Sequence, residues 1–492
     1  MPKWHGMSGK DSTLSVAIIG AGISGLSAAH EITRRARASG RPLVLRVFEA
    51  SDRVGGVIET VHRDGLTMEL GPDSIVTDKP WATELCREIG LGDDVIPTRQ
   101  IGGGAYIARD DELLPVPDGF HLMAPSRLLP FATSRLLSPL GKLRVAADVF
   151  IPAAREERDE SLADFVRRRL GHEALERIAQ PMVGGIYTAD PEKLSLRATM
   201  PRFVEMERTH GSLIRAMVAN RRTAGKAGAA ADGTTRARGP RYDLFVSLRT
   251  GLGELPRRLA ALLPDGALRA GCVVSRVAHE NGRWRIEAGG EVGPGPDSYD
   301  AVCISVPAFA AAAMLAPQAP ALAEDLSAIE YASSATINLA YAPEQVGHEL
   351  DGFGFVVPAI EGRTTLACTF SSRKYEGRSP HDVVLLRAFV GGALSPASVA
   401  LDDDAMIAAV TRDLHDLLGV RGKPLQQLVT RWPRSMPQYH VGHLARVDRI
   451  ESGVAALPSL ELAGNAYRGT GIPDCVRSGR EAAARLFESL RD

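Results

Sequence analysis

The chain has 492 residues, 45% hydrophobic and 24% charged, with 49 glycines, 31 prolines and five cysteines, which suffices for two or three structural units with an ample core. Its net charge of −1 supplies no global attraction to nucleic acid or anionic lipid, so a nucleic-acid partner is not expected. The first 14 residues hold no apolar run of the secretory kind, and the longest apolar region, 301–323, is broken by Pro307, Pro317 and Pro320, which favours a strand and a broken helix over a membrane span. Cys86, Cys272, Cys303, Cys368 and Cys475 lie far apart, with no CxxC and no metal-ligand spacing; reduced, buried thiols in a cytoplasmic protein are expected.

An apolar run at 16–19 ends in Gly20-x-Gly22-x-x-Gly25. An Ala-rich helical run follows at 26–37, and a second apolar run at 43–48 ends at Glu49. A dinucleotide site requires this strand-helix-strand order with a terminal acid. Gly20 permits the tight turn, Gly22 lets a pyrophosphate approach the backbone, and Gly25 lets helix and strand pack closely. The helix N-terminus then faces the phosphates with free N–H groups. Glu49 can accept hydrogen bonds from ribose hydroxyls, and its charge disfavours a 2′-phosphate. Gly55 and Gly56 leave a second bare backbone near the nucleotide with Arg53 beside it, which favours FAD over NAD.

Gly71-Pro72-Asp73-Ser74 closes this first unit. Helical periodicity covers 81–90, and 106–108 with 112–115 form a hairpin around Arg109-Asp110-Asp111. Strand signals vanish over 118–220, which reads as a helical insertion with helices at 144–150, 162–170, 172–180 and 203–220. Bare backbone at 181–187 interrupts it; Gly184-Gly185 is either a helix break or a place where a flat ligand lies. Residues 224–240 form a low-complexity loop. Strands return at 244–248, 270–277, 283–287 and 301–306, with a helix at 255–263 and a turn at Asn281-Gly282. Further strands are expected at 336–341, 354–357, 364–370 and 383–390, and a helix at 404–419. Finally a strand at 460–463 enters Gly464-Asn465 and Gly469-Thr470-Gly471-Ile472, and a helix runs from Pro473 or Asp474 to Leu490. A helix dipole aimed at a flavin's pyrimidine end stabilises the negative charge of reduced flavin. The expected fold class is α/β. A discontinuous Rossmann-type FAD-binding domain takes 12–80, 242–310 and 433–490. A sheet-based substrate domain takes 95–117 and 315–432, a helical insertion domain 118–220 and a flexible loop 221–241.

The segments Gly20–Leu26, Glu49–Gly56, Glu69–Ser74, Gln180–Ser195, Asp351–Pro358, Leu385–Gly392, Arg431–Leu444 and Gly464–Gly479 together resemble the flavin-dependent protoporphyrinogen oxidases of the oxygen-dependent type, the related coproporphyrinogen III oxidases included. The first two, and part of the last, are shared with the wider amine-oxidase-like superfamily. The resemblance implies removal of six electrons from protoporphyrinogen IX in two-electron steps, in haem or chlorophyll synthesis, with dioxygen reoxidising the FAD to give hydrogen peroxide. It implies a helical domain that associates with membrane, hence a cytoplasmic protein peripheral to the inner membrane; monomer and homodimer both stay open. It assigns Gly20, Gly22, Ile23, Ser24 and Gly25 to the pyrophosphate, Glu49 to the ribose and Arg53, with Gly55 and Gly56, to the phosphate loop. Gly71, Pro72, Asp73 and Ser74 fall near the flavin ring. Val274 falls near adenine, though it is equally a strand core residue. Trp432, Gly471, Ile472 and Pro473 fall beside the flavin, though Trp432 would be buried in most folds. For substrate, Gly185 presents a backbone carbonyl, and Val356 and Val357 an apolar wall.

Two departures bear on the substrate. Ala105 stands where many relatives carry an Arg that meets a propionate, which leaves Arg99, Arg109 or Arg373 to substitute. Asp73 stands where several have Asn; its carboxylate could bond pyrrole N–H groups, take a proton, or simply form the turn after Pro72. Both raise coproporphyrinogen III as the alternative substrate. The other readings are a flavin amine oxidase or carotenoid-desaturase-like enzyme, against which Asn465 and 5% aromatic residues speak, and a FAD-binding protein without turnover.

Overall fold

The structure is a computed structural model that describes residues 13–101, 104–117, 120–121, 124–125, 127–154, 158–219, 244–290, 296 and 298–490. The loop expected at 224–240 lies outside the described residues.

The apolar run at 16–19 lies in a strand, Leu14–Ile19, buried at every position, as a parallel strand covered on both faces must be. It pairs in parallel with Leu43–Phe48 on one side and Ala301–Ile304 on the other. Leu268–Arg269 and Leu460–Leu462 complete a five-stranded parallel sheet in the order 268–269, 43–48, 14–19, 301–304, 460–462. Three distant stretches of chain therefore build one sheet. Helices Ile23–Ser39 and Ile472–Ser489 lie together on one face. They approach so closely that a Cβ on Gly479 would sit 2.1 Å from the Ser24 carbonyl oxygen. The other face is covered by the hairpin Val273–Glu280 and Arg283–Gly289 and the helix Ala308–Leu315. Asn281 (φ 52°) and Gly282 (φ 78°) supply the two left-handed residues that a tight hairpin turn needs.

A second, seven-stranded sheet runs in the order Gln426–Pro437, Tyr331–Tyr341, Val384–Gly391, Thr365–Thr369, Gly354–Val356, Ala105–Arg109, Glu112–Pro115. Period-two alternation sorts the strand Tyr331–Tyr341. Ala335, Ile337 and Leu339 pack under the helix Asp403–Leu418, while Thr336 and Asn338 turn their polar ends to the carbonyls of Leu70 and Glu69. The far end of this sheet meets a helical cluster built from residues between 128 and 219, whose core includes Phe165, Ile178, Val183 and Phe203.

The insertion differs from the sequence expectation in three places. Residues 181–187 do not interrupt the helices: Gln180–Tyr187 is a helix, entered through a π-helical turn at Leu175–Ala179. The wider turn accommodates Pro181, which has no N–H to give. The helix expected at 203–220 divides at Gly211 (φ 68°), which caps Pro201–His210 before a second helix over 213–219. The helix expected at 144–150 starts earlier, at Pro139. The Ser138 hydroxyl caps it by accepting from the Gly141 N–H at 3.0 Å, and it tightens to a 3₁₀ turn over Ala147–Phe150.

Candidate active site

The turn after the first strand has the geometry its glycines demand. Gly20 has φ 100°, and a Cβ there would lie 2.4 Å from the Ser305 carbonyl oxygen. A Cβ on Gly25 would lie 1.9 Å from the Gly20 carbonyl oxygen. Around a Cβ on Gly22 there is nothing within 4 Å. Two of the three glycines are thus dictated by packing, and the third faces open space. Gly22 is also the N-cap of Ile23–Ser39, with no side chain capping it, so the first N–H groups beyond it, with Ile23 and Ser24, are free for an anion. Glu49 accepts from the Ala21 N–H at 2.7 Å and from the N–H and hydroxyl of Ser51 at 2.9 and 2.8 Å. Val274 is buried at the start of its hairpin, and the Cys272 N–H two residues before it donates to the Glu49 carbonyl at 2.9 Å.

A second loop lies against the first. Gly55 bridges to Gly22 and its N–H donates to the Ala21 carbonyl at 2.8 Å. A Cβ on Gly56 would stand 3.5 Å from the Gly22 Cα. Arg53 donates to the Gly56 carbonyl at 2.8 Å, pairs with Glu59, and places its guanidinium 6.0 Å from the Trp432 ring centre. Next in line comes Gly71, so tightly packed that a Cβ would lie 1.8 Å from the Val57 carbonyl oxygen. The carbonyl of Leu70 accepts from Trp432 Nε1 at 2.8 Å and from the Thr336 hydroxyl at 2.7 Å. The Gly20–Gly25 turn, the 53–57 loop, the 70–74 turn and Trp432 therefore form one continuous wall that spans both sheets.

Pro72, Asp73 and Ser74 continue that wall. Asp73 is held between two cations. Lys374 Nζ lies 3.0 and 3.1 Å from its two oxygens, and Arg387 lies 3.0 Å from Oδ2. The Ser74 hydroxyl donates to Asp73 at 2.6 Å. Burial alone would raise the Asp73 pKa, but Lys374 and Arg387 outweigh it and hold the carboxyl well below the usual carboxylate range. The sequence left three roles open for this residue; in the fold its oxygens are engaged by Lys374, Arg387 and Ser74.

From the other end of the chain, Gly471 is the uncapped N-cap of a helix whose first turn holds Ile472 and Pro473. The loop before it is fixed by Tyr439, whose hydroxyl donates to the Asn465 carbonyl at 2.7 Å and accepts from the Gly469 N–H at 2.9 Å. The Tyr439 ring stacks on His443, 3.8 Å between centres at 14°.

The expected substrate residues separate. Gly185 is exposed near the C-terminal end of its helix, and a Cβ there would meet Val356 Cγ1 at 3.4 Å. Val356 packs toward the helical core, whereas Val357, 4% exposed, packs into the core under Asp403–Leu418. Arg109 lies at the far end of the Ala105–Arg109 strand, donating to the Arg135 carbonyl at 2.5 Å. Arg99 is exposed and donates to the Ser372 carbonyl at 3.5 Å; Arg373 donates to that of Leu350 at 3.1 Å.

Asn338, Lys374, Arg387 and Tyr439, whose side chains brace these turns, were not singled out one by one in the sequence. A signal existed for two of them: Arg387 is the one charged residue of an otherwise apolar strand and Asn338 sits in the apolar half of its own, 3% and 1% exposed. They stand opposite each other in register on adjacent strands.

A parallel sheet carrying a glycine fingerprint, an acid at its second strand and a second uncapped helix packed on the fingerprint helix defines a dinucleotide-binding flavoprotein. The residues present fit FAD, because the open Gly22 face and two free helix N-termini suit an extended diphosphate ligand. The model of the flavin-containing amine oxidoreductases matches residues 23–487, and the chain belongs to that family; its cofactor is FAD. A coproporphyrinogen III oxidase of Bacillus subtilis (strain 168) is 35% identical over 98% of this chain and 99% of its own. A chloroplastic protoporphyrinogen oxidase of Nicotiana tabacum is 31% identical over 97% of this chain and 86% of its own. Among solved structures, an Exiguobacterium sp. 255-15 protein provisionally assigned as a protoporphyrinogen oxidase superposes with a TM-score of 0.83 at 31% identity, over 98% of this chain and all of that one. A putrescine oxidase, 19% identical with a TM-score of 0.66 over 97% of this chain and all of that one, shares the fold.

Proposed function

We propose that the protein oxidises coproporphyrinogen III to coproporphyrin III, with three dioxygen molecules consumed and three of hydrogen peroxide released. The sequence put protoporphyrinogen IX first. The observation that carries the change of order is the ranking of relatives: three bacterial coproporphyrinogen III oxidases are 33 to 35% identical, and the plant protoporphyrinogen oxidases 28 to 31%. Ala105, with no cation to offer one particular propionate, is consistent with it.

Bound FAD would supply the two-electron chemistry, as hydride acceptor and as reductant of oxygen. The chain's own work is to bind and orient. Gly20–Gly25 and Gly55–Gly56 receive the diphosphate, and Glu49 receives the ribose. The Gly71–Ser74 turn and Trp432 would back the ring, and the free N–H groups of the first turn after Gly471 would offset negative charge on it. Gly185 and Val356 offer a backbone carbonyl and an apolar surface, which suit a flat macrocycle with polar pyrrole N–H groups. Among the described residues no helix is long and apolar enough to cross a membrane. Leu140, Leu143 and Phe150 are 78, 68 and 83% exposed along one stretch of the helical cluster. Such a patch supports a peripheral contact with lipid; the triple change of these residues to Ser should abolish co-sedimentation with vesicles while FAD content stays the same.

The deciding assay supplies the flavin-loaded enzyme with coproporphyrinogen III and protoporphyrinogen IX under oxygen. Porphyrin fluorescence should rise faster with the first. Rates no better than autoxidation on both would overturn the proposal, and a clear preference for the second would restore the original order.

A further inference from the structure

Behind the Gly71–Ser74 turn lies a group of five charged side chains from separate parts of the chain. Glu69 and Asp73 are the acids; Lys374, Arg378 and Arg387 are the bases. Their side chains are 4, 13, 15, 2 and 3% exposed. The contacts divide by role. Arg387 Nη1 donates to the Gly71 carbonyl at 2.8 Å while Nη2 pairs with Asp73. Lys374 spends its donors on Asp73 and on the Ser74 hydroxyl at 2.8 Å. Tyr375 adds a bond from its hydroxyl to Ser74 at 2.9 Å. Arg378 lies 3.7 Å from Glu69 and donates to Ser247 Oγ and the Leu248 carbonyl at 2.8 and 2.9 Å. The acid Glu69 meanwhile accepts from Thr60 at 2.6 Å and from the Leu252 N–H at 2.8 Å.

With all five ionised, three bases against two acids leave one positive charge in excess, and burial of that kind is costly unless something negative completes it. Arg387 Nε is buried with no hydrogen-bond partner among the described residues. The turn that the cluster holds packs directly on the 53–57 loop, which in turn packs on Gly22. The surplus charge therefore sits behind the wall assigned to the flavin ring.

We propose that Lys374 and Arg387, acting through Asp73, are positioning residues that fix the Gly71–Ser74 turn against the flavin and bias the bound cofactor toward its electron-rich reduced form. This rests on the FAD assignment and not on which porphyrinogen is oxidised. Replacing the lysine charge by an isosteric apolar chain should disfavour reduction; keeping a cation should not.

The test measures the reduction potential of the bound FAD in the holoenzyme and its affinity for sulfite, with no porphyrinogen present. Lys374→Met should shift the two-electron equilibrium against reduction by about tenfold, which is about 30 mV, and weaken sulfite binding by a similar factor. Lys374→Arg should stay close to wild type in both. Arg387→Lys, which keeps the charge but loses the Gly71 contact, should lower FAD affinity with a smaller change of potential. A potential in Lys374→Met equal to wild type would overturn the proposal, and so would equal shifts in Lys374→Met and Lys374→Arg. Failure of porphyrinogen turnover in wild type, with these potentials as expected, would remove the proposed substrate and leave the cluster's role intact.

Discussion

Gly22 and Gly25 are three positions apart and answer to different forces. Gly25 is required by the Gly20 carbonyl that a side chain would strike, so its replacement is a folding defect. Gly22 has no neighbour in the protein to collide with, so Gly22→Val should leave the fold unchanged by near-ultraviolet circular dichroism. It should weaken FAD by about 100-fold, the scale of losing one or two charge-assisted hydrogen bonds. Stoichiometric FAD in the purified variant would contradict the assignment. These glycines were legible in the sequence because the whole fingerprint is a short local pattern, in which Gly25 answers to Gly20 five residues before it. Asp73 was visible only as a carboxylate with three open roles, because the lysine that engages it is 301 residues distant. Local spacing carries no information about such a partner, although a charge within the apolar strand Val384–Gly391 did advertise that something buried awaited Arg387.

Elements with one strong period were read within a residue or two: Asp403–Leu418 ends at Gly419, φ 62°. The strand Gln426–Pro437 was passed over because it carries two prolines and two arginines and is mostly half-exposed, as an edge strand is. Yet this strand delivers Trp432 and, just beyond it, Tyr439. The helix His443–Ala455 that follows holds His443 fully buried against Tyr439. Its Nε2 lies 2.8 Å from the Tyr467 carbonyl, and burial pulls its pKa down to about 4 from 6.5. Unfolded, the imidazole takes a proton near pH 6.5; folded, only near 4. The native state is thus unburdened above pH 6.5 and loses about 3 kcal/mol as pH falls toward 4. Urea unfolding of His443→Phe should show a shallower decline over that window than wild type. Parallel curves would mean that the histidine titrates at its ordinary pKa.

At the scale of the molecule, the five-stranded sheet is assembled from strands at 14–19, 43–48, 268–269, 301–304 and 460–462. The fingerprint and the C-terminal motif pointed to a nucleotide held from both ends of the chain, and the sheet gives that relation a mechanical basis. FAD at 100 times its Kd stabilises the form that binds it by about 2.7 kcal/mol. Amide exchange in 14–19, 301–304 and 460–462 should therefore slow together by about 100-fold. Protection confined to 14–19 would mean that the site closes locally instead.

Assembly from distant stretches also sets a timetable. The Gly20–Gly25 turn leaves the ribosome well before the strand at 460–462 and the helix that begins at Ile472, which are made only after the whole seven-stranded sheet. At about 5–20 residues per second, the strand Leu14–Ile19, buried at every position in the finished fold, waits for roughly tens of seconds before its sheet is complete. Throughout that interval no complete cofactor site exists, so flavin capture is a late event, and what shelters the nascent first domain must be something other than its cofactor.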